Sequence, residues 1–153
     1  PTLRRIADAL ASTAELDAVI GLGGLVEPEE LDLPDHVVGL RWAPQSELLA
    51  EADVAVLHGG ITSIGEALLA GTPMVLLSTH TNDQDGTVAR AGRVGVAVAL
   101  DHRTVTTDAL AGAVRHALTD DTLRARVVEV SAAVAAESRS GAVVGVLEEL
   151  ATP

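Results

Sequence analysis

The run His58-Gly59-Gly60-Ile61-Thr62-Ser63 places an imidazole, two residues without side chains and two small hydroxyls directly after an apolar stretch. Glycines let the backbone turn sharply and approach a ligand, and a helix beginning near Thr62 or Ser63 presents unpaired N–H groups that together carry roughly half a positive charge. Such a corner suits an anion, above all a phosphate. Glu66 falls one helical turn further on, where its carboxylate can accept hydrogen bonds from a ribose diol. Trp42, the only aromatic residue of the chain, stands in the loop "RWAPQ" after another apolar stretch. Its ring is suited to stack on a nucleobase, worth ~1–3 kcal/mol by analogy with nucleic-acid sites. Asp83 and Gln84, in "STHTNDQDG", offer the acceptors and donors that recognise sugar hydroxyls. Base, phosphates, ribose and sugar would all be served.

Each of these residues also has a plainer reading. His58 can be a solvated histidine at a strand end, Trp42 an anchor for its loop, and Glu66 an acid favouring its helix dipole by ~0.3–1 kcal/mol. Asp83 can cap the helix that follows it, leaving Gln84 exposed. His36, His102 and His116 are taken as structural, and no spacing of His, Asp and Glu predicts a metal site.

The elements that must position these residues alternate in type. Apolar positions Leu3, Ile6, Ala7 and Leu10 recur at helical spacing and predict a helix over Thr2 to Ser12. Five short β-branched runs predict strands at Asp17 to Gly23, His36 to Leu40, Asp53 to His58, Pro73 to Ser78 and Arg93 to Leu100. Helical stretches at Gln45 to Glu51, Ser63 to Ala70 and Asp83 to Ala91 lie between them. Three more follow the last strand, in "TTDALAGAVRHALT", "DTLRARVVEVSAAVAAE" and "GAVVGVLEELA". Thr106 or Thr107 and Asp120 or Asp121 are the expected caps of the first two.

Strands apolar on both faces, alternating with helices, predict an α/β domain with a doubly wound parallel sheet. A doubly wound domain normally opens with a strand, so a strand preceding the first helix is expected to be missing and the chain to be a fragment. In an open sheet of this kind ligands sit at the carboxyl ends of the strands, where the His58 corner lies. Gly21, Gly23 and Gly24 also close a strand, but "LVEPEELDLP" after them is no helix start, so a dinucleotide fingerprint is rejected.

The 153 residues fit a single domain spanning 1–153, able to bury roughly 70% of its unfolded surface around one core. A formal net charge of −12, with ten arginines and no lysine, argues against nucleic acid or an anionic membrane as partner. A diphosphate must then be held locally, by oriented backbone dipoles. Without cysteine there is neither a disulfide framework nor a thiolate metal site. No apolar run approaches the ~20 residues of a membrane span, so the expected location is cytoplasmic.

The order of Trp42, Pro44, Gln45, Leu49, His58, Gly59, Gly60, Ser63, Glu66, Gly71, Pro73, Asp83 and Gln84 resembles the donor-binding motif of GT-B glycosyltransferases that use nucleotide diphosphate sugars. That family includes plant secondary-metabolite and bacterial antibiotic enzymes. The resemblance spans about Arg41 to Gly95 and implies the C-terminal, Rossmann-like half of the GT-B fold. It implies that Trp42 stacks on uracil or thymine, with the Ala43 backbone and Gln45 completing base and ribose contacts. It further implies that His58 bonds the diphosphate and steadies the leaving group, that Ser63 and the N–H groups around Gly59, Gly60 and Thr62 hold a phosphate, and that Glu66 binds the ribose. Asp83 and Gln84 would bind the transferred sugar.

The implied donor is a UDP- or dTDP-sugar, the implied reaction an inverting transfer to an acceptor hydroxyl without metal or other cofactor. The general base and the pocket for a small-molecule acceptor would belong to an N-terminal domain or partner subunit, and no residue of this chain is assigned as base. Thr62 stands where the family usually has Gly or Asn, and Ser78 where it usually has Pro. The gap from Pro73 to Asp83-Gln84 is one residue longer than usual, and the shorter chain between Gln45 and His58 points to a bacterial natural-product enzyme. A non-catalytic nucleotide-sugar binding module and a nucleotide-sugar epimerase on the same scaffold are the alternatives.

Overall fold

The computed structural model describes residues 2–78 and 82–140, with the side chains at 2, 82 and 83 outside the description. Its elements run α1 (Thr2–Ala11), β1 (Ala18–Gly21), a 3-10 turn (Pro28–Glu30), β2 (Val37–Leu40), α2 (Gln45–Glu51), β3 (Ala55–Leu57) and α3 (Ile61–Ala70). β4 (Met74–Ser78), α4 (Asn82–Val94), β5 (Ala97–Asp101), α5 (Thr107–Thr119) and α6 (Asp121–Arg139) follow. The predicted helix in "GAVVGVLEELA" lies outside the described residues.

All strand pairings are parallel. β4 is central among β3-β4-β5, and all five of its residues are buried. Strand side chains alternate between faces, so β4 feeds two cores at once. Met74 and Leu76 pack with Leu49, Ile64, Val88 and Val127, from α2, α3, α4 and α6. Val75 and Leu77 pack on the other face with Ala9, Leu110, Val114 and Ala117, from α1 and α5. Helices on both faces of a parallel sheet are the doubly wound arrangement that the apolar runs predict.

The single sheet is divided. Among the described residues β1 bonds only β2, and β3-β4-β5 form a second sheet. α1 joins them, because Ala7 and Leu10 pack with Ile20, Leu22 and Val37 while Ala9 faces the Val75–Leu77 core. Expected strand boundaries shrink as well. Arg93 and Val94 belong to α4, not to a strand, because Val88, Ala91 and Val94 recur at helical spacing toward the core. Gly95, at φ +84°, then ends the helix, its N–H donating to the Ala91 carbonyl at 3.1 Å.

Polar residues cap α5 and α6. Thr106 accepts from the Ala109 N–H at 3.1 Å, and Asp120 from those of Thr122 and Leu123 at 2.8 and 3.1 Å. Thr72 is buried and donates to the Leu49 carbonyl at 2.6 Å, fastening α2 to the turn that enters β4.

Candidate donor-binding site

Parallel strands bring the loops after β2, β3 and β4 to the carboxyl edge of their sheets, with α2, α3 and α4 starting there. The corner between β3 and α3 is shaped by its two glycines. Gly59 sits at φ +86°, and a Cβ placed on it would lie 2.3 Å from Val88 Cγ2. A side chain is excluded there by both backbone and space. Thr87 in α4 donates to the Gly59 carbonyl at 2.6 Å and so pins the corner from beneath. A Cβ on Gly60 would lie 2.7 Å from His58 Nε2, so the exposed imidazole is folded back over the start of α3.

That helix begins one or two residues earlier than the Thr62 or Ser63 expected. Gly60 is the N-cap, in extended conformation, and no side chain caps the helix. A serine or threonine would normally fill this position, whereas here a glycine does, and Ser63 is drawn into the helix as a buried residue. The first backbone bond of the helix runs from Ile64 N–H to the Gly60 carbonyl at 3.0 Å. The N–H groups of Ile61, Thr62 and Ser63 stand before it, facing outward with the positive end of the dipole.

Gln45, the first residue of α2, spans the distance to α3. Its side-chain N–H2 donates to Ser63 Oγ at 3.2 Å and to Glu66 Oε2 at 2.6 Å. Glu66 therefore has a specific partner rather than merely attending its helix dipole. Trp42 is 73% exposed, with one edge of the indole above Gly24. A Cβ on Gly24 would approach Trp42 Cζ2 to 3.0 Å. Gly23 and Gly24 have φ +61° and +69°, and of the glycines rejected as a dinucleotide fingerprint Gly24 forms the floor under the tryptophan. Ala43 lies beside Gly21, its Cβ 3.1 Å from the position of a Cβ there.

Gln45, Ser63 and Glu66 are thus in direct contact, with His58, Gly59, Gly60 and Thr62 beside them around the start of α3, while Trp42 and Ala43, in the loop that leads into Gln45, lie against Gly24 and Gly21. The side chain of Asp83 lies outside the described residues, and α4 begins at Asn82, so Asp83 is in its first turn rather than at its cap. Gln84 is half-buried under the corner, its carbonyl accepting from Thr87 at 2.9 Å. At the end of β4 the Ser78 hydroxyl donates to the Asp85 carboxylate. Sequence reasoning gave Gly24, Thr87 and Asp85 no role. The one available signal was Asp85 in the first turn of a helix that follows a strand.

The three histidines read as structural are bonded away from the corner. His36 Nε2 lies 3.1 Å from the Leu10 carbonyl, His102 Nδ1 meets the Ser78 carbonyl, and His116 pairs with Asp120 at 3.2 Å. Among the described residues, no three His, Cys, Asp or Glu side chains cluster as a metal site.

The erythromycin biosynthesis protein CIII-like C-terminal domain model matches residues 7–150. The chain belongs to that family. This CIII-like domain is the C-terminal half of GT-B glycosyltransferases, and its relatives bear that out. It is 34% identical to an NDP-glycosyltransferase, YjiC, of Bacillus subtilis (strain 168), over 71% of this chain and 28% of that protein. It is 32% identical to the oleandomycin glycosyltransferase of Streptomyces antibioticus, over 78% of this chain and 28% of that protein. Among solved structures, the glycotransferase of kitacinnamycin matches at a TM-score of 0.82 and 32% identity, covering 89% of this chain and 35% of that one. The calicheamicin glycosyltransferase CalG4 matches at a TM-score of 0.85 and 24% identity, covering 99% and 39%. The CIII-like domain therefore spans 28% of the length of both curated relatives. Among its described residues, no helix is long and apolar enough to cross a membrane.

Proposed function

We propose that this chain is the donor-binding half of a glycosyltransferase that moves a sugar from a UDP- or dTDP-sugar to a hydroxyl of a small natural product. The observation that carries the reading is the uncapped start of α3 beneath His58, tied through Gln45 to Glu66 at the same strand edge. The α3 N–H groups and His58 hold the diphosphate, Glu66 and Gln45 the ribose, and Trp42 the base. Asp83 and Gln84 are assigned to the transferred sugar.

In the transfer, the acceptor oxygen bonds to the anomeric carbon as the bond from that carbon to the diphosphate oxygen breaks, inverting the centre. The acceptor proton passes to a base outside this chain. Negative charge grows on the terminal phosphate, and the α3 dipole with His58 stabilises it without reorganising. Losing one such donor costs ~2.7–4 kcal/mol in comparable sites. No metal is needed in this scheme.

Two features support a larger whole. Trp42, Gln45 and His58 are exposed, so the donor face is open and suits closure by an acceptor-binding domain. Among the described residues β1 and β3 each pair on one side only while α1 lies against both sheets, which suits one further parallel strand between them.

Calorimetric titration with UDP, dTDP, UDP-glucose and ADP, repeated on Trp42→Ala and His58→Ala, tests the reading. Pyrimidine diphosphates should bind, ADP more weakly, and both substitutions should lower affinity by about tenfold or more without lowering thermal stability. A folded chain indifferent to all four ligands, alone and joined to its acceptor-binding domain, would overturn it.

A further inference from the structure

Thr87 has no part in the ligand contacts assigned above, yet it holds the backbone that makes some of them. Gly59 is buried, so its carbonyl needs a hydrogen-bond donor inside the protein. Among the described residues no backbone N–H donates to it, and the Thr87 hydroxyl, 28 positions further along the chain, supplies the bond at 2.6 Å. That hydroxyl has a single proton. Its other acceptor, the Gln84 carbonyl at 2.9 Å, lies inside α4, where helical N–H groups serve the carbonyls four residues back. The Gly59 carbonyl has no such alternative.

The consequence falls on the other end of the same peptide plane. No described peptide bond is cis, and in a trans peptide the C=O and the following N–H point in opposite directions. Drawing the Gly59 carbonyl down onto α4 therefore turns the Gly60 N–H away from α4. That N–H belongs with those of Ile61, Thr62 and Ser63, since the first bond of α3 starts at Ile64, and among the described residues no backbone carbonyl accepts from it. Two consecutive glycines leave this plane free to rotate, because neither has a side chain to restrict its dihedrals. A flipped plane would set a carbonyl oxygen where an anion needs an N–H. The brace against that flip is the Thr87 bond, with Val88 packed directly under Gly59 beside it.

We propose that Thr87 is a positioning residue for diphosphate binding: by bonding the Gly59 carbonyl it locks the Gly59–Gly60 peptide plane and so keeps the Gly60 N–H aimed as a donor before any ligand arrives. The inference rests on the donor-site reading above and deepens it by naming what holds the corner in its binding state. A donor that is already aimed costs no reorganisation when the anion binds, and one that must first turn loses part of its worth.

The test compares UDP with uridine, which lacks the phosphates, on the parent chain, Thr87→Val and Thr87→Ser. Valine keeps the branched shape and loses the hydroxyl, whereas serine keeps the hydroxyl and loses the methyl. Fluorescence of Trp42, the only tryptophan, follows base binding, and the Gly60 amide resonance follows the phosphates. In Thr87→Val the UDP affinity should fall about five- to tenfold while uridine stays within about twofold, and the shift of the Gly60 amide on adding UDP should shrink. Thr87→Ser should hold both affinities within about twofold of the parent. A general loss of structure would weaken UDP and uridine together and leave their ratio intact, so thermal unfolding is recorded beside each titration. If Thr87→Val keeps the parent ratio, or Thr87→Ser loses as much as Thr87→Val, the residue acts through packing and the positioning role is overturned. UDP binding that His58→Ala weakens would in that case leave the donor-site reading standing. Absence of UDP binding by the parent removes both readings together.

Discussion

Gly59→Ala should destabilise the protein severely, for two reasons that can be measured apart. The residue sits at φ +86°, where a Cβ costs about 1–2 kcal/mol. The new methyl would stand 2.3 Å from Val88 Cγ2, well inside van der Waals contact. Val88 is 4% exposed and packs in the core with Leu76 and Ile64, so relief requires a shift of α4 or of the corner. Forcing a methyl into a filled core adds about 1–3 kcal/mol. The sum, about 2–5 kcal/mol, is a large part of the 5–15 kcal/mol typical of a domain.

Urea unfolding of Gly59→Ala, Val88→Ala and the double variant, read by circular dichroism with linear extrapolation, resolves the terms. Val88→Ala alone should cost about 1.5–3 kcal/mol from lost burial. The double variant should be more stable than the sum of the singles by about 1–3 kcal/mol, because the shortened side chain removes the clash and leaves the φ strain. A Gly59→Ala protein within about 0.5 kcal/mol of the parent, or strictly additive singles, would refute the reasoning.

Two further outcomes follow from local geometry. Asp120→Ala removes the acceptor of two helix N–H groups and should cost about 0.5–2 kcal/mol in the same unfolding assay, whereas Asp120→Asn should cost little. The carboxyl of Glu15 is held below its ordinary value first by the hydrogen bond from Arg115, then by its own backbone N–H and the Arg115 charge. The folded state therefore binds this proton less readily than the unfolded state. The stabilisation is present above the ordinary glutamate range and is lost as pH falls through the folded value. In Arg115→Gln the Glu15 titration, followed by NMR, should move up toward its ordinary range, and the acid limb of stability should flatten there.

Much of the candidate site was legible because its chemistry is local in sequence. His58, Gly59 and Gly60 adjoin one another, Ser63 and Glu66 lie on one turn of the following helix, and the apolar runs around them have unmistakable periods. Helix α2 begins and ends where its pattern predicts, at Gln45 and Glu51. The start of α3 was misplaced because the cap is a glycine, whose preference at that position is weaker than that of serine or threonine. Strand β5 was overextended because Val94-Gly95-Val96-Ala97 alternates like a strand, and only packing of Val94 beside Val88 and Ala91 assigns it to the helix.

By itself the sequence determined the alternation of strands and helices, the parallel course of the strands between two layers of helices, and the cluster of glycines and small polar residues at His58 to Ser63. These depend on neighbours within a turn or two, where periodicity and backbone geometry act directly. Tertiary structure alone decided that Gln45 holds Glu66, 21 positions away, that Thr87 pins Gly59, and that Gly24 forms the floor under Trp42. Contacts across so many residues arise only when loops and helices that follow different strands converge at one edge. No propensity or spacing in a single segment encodes them.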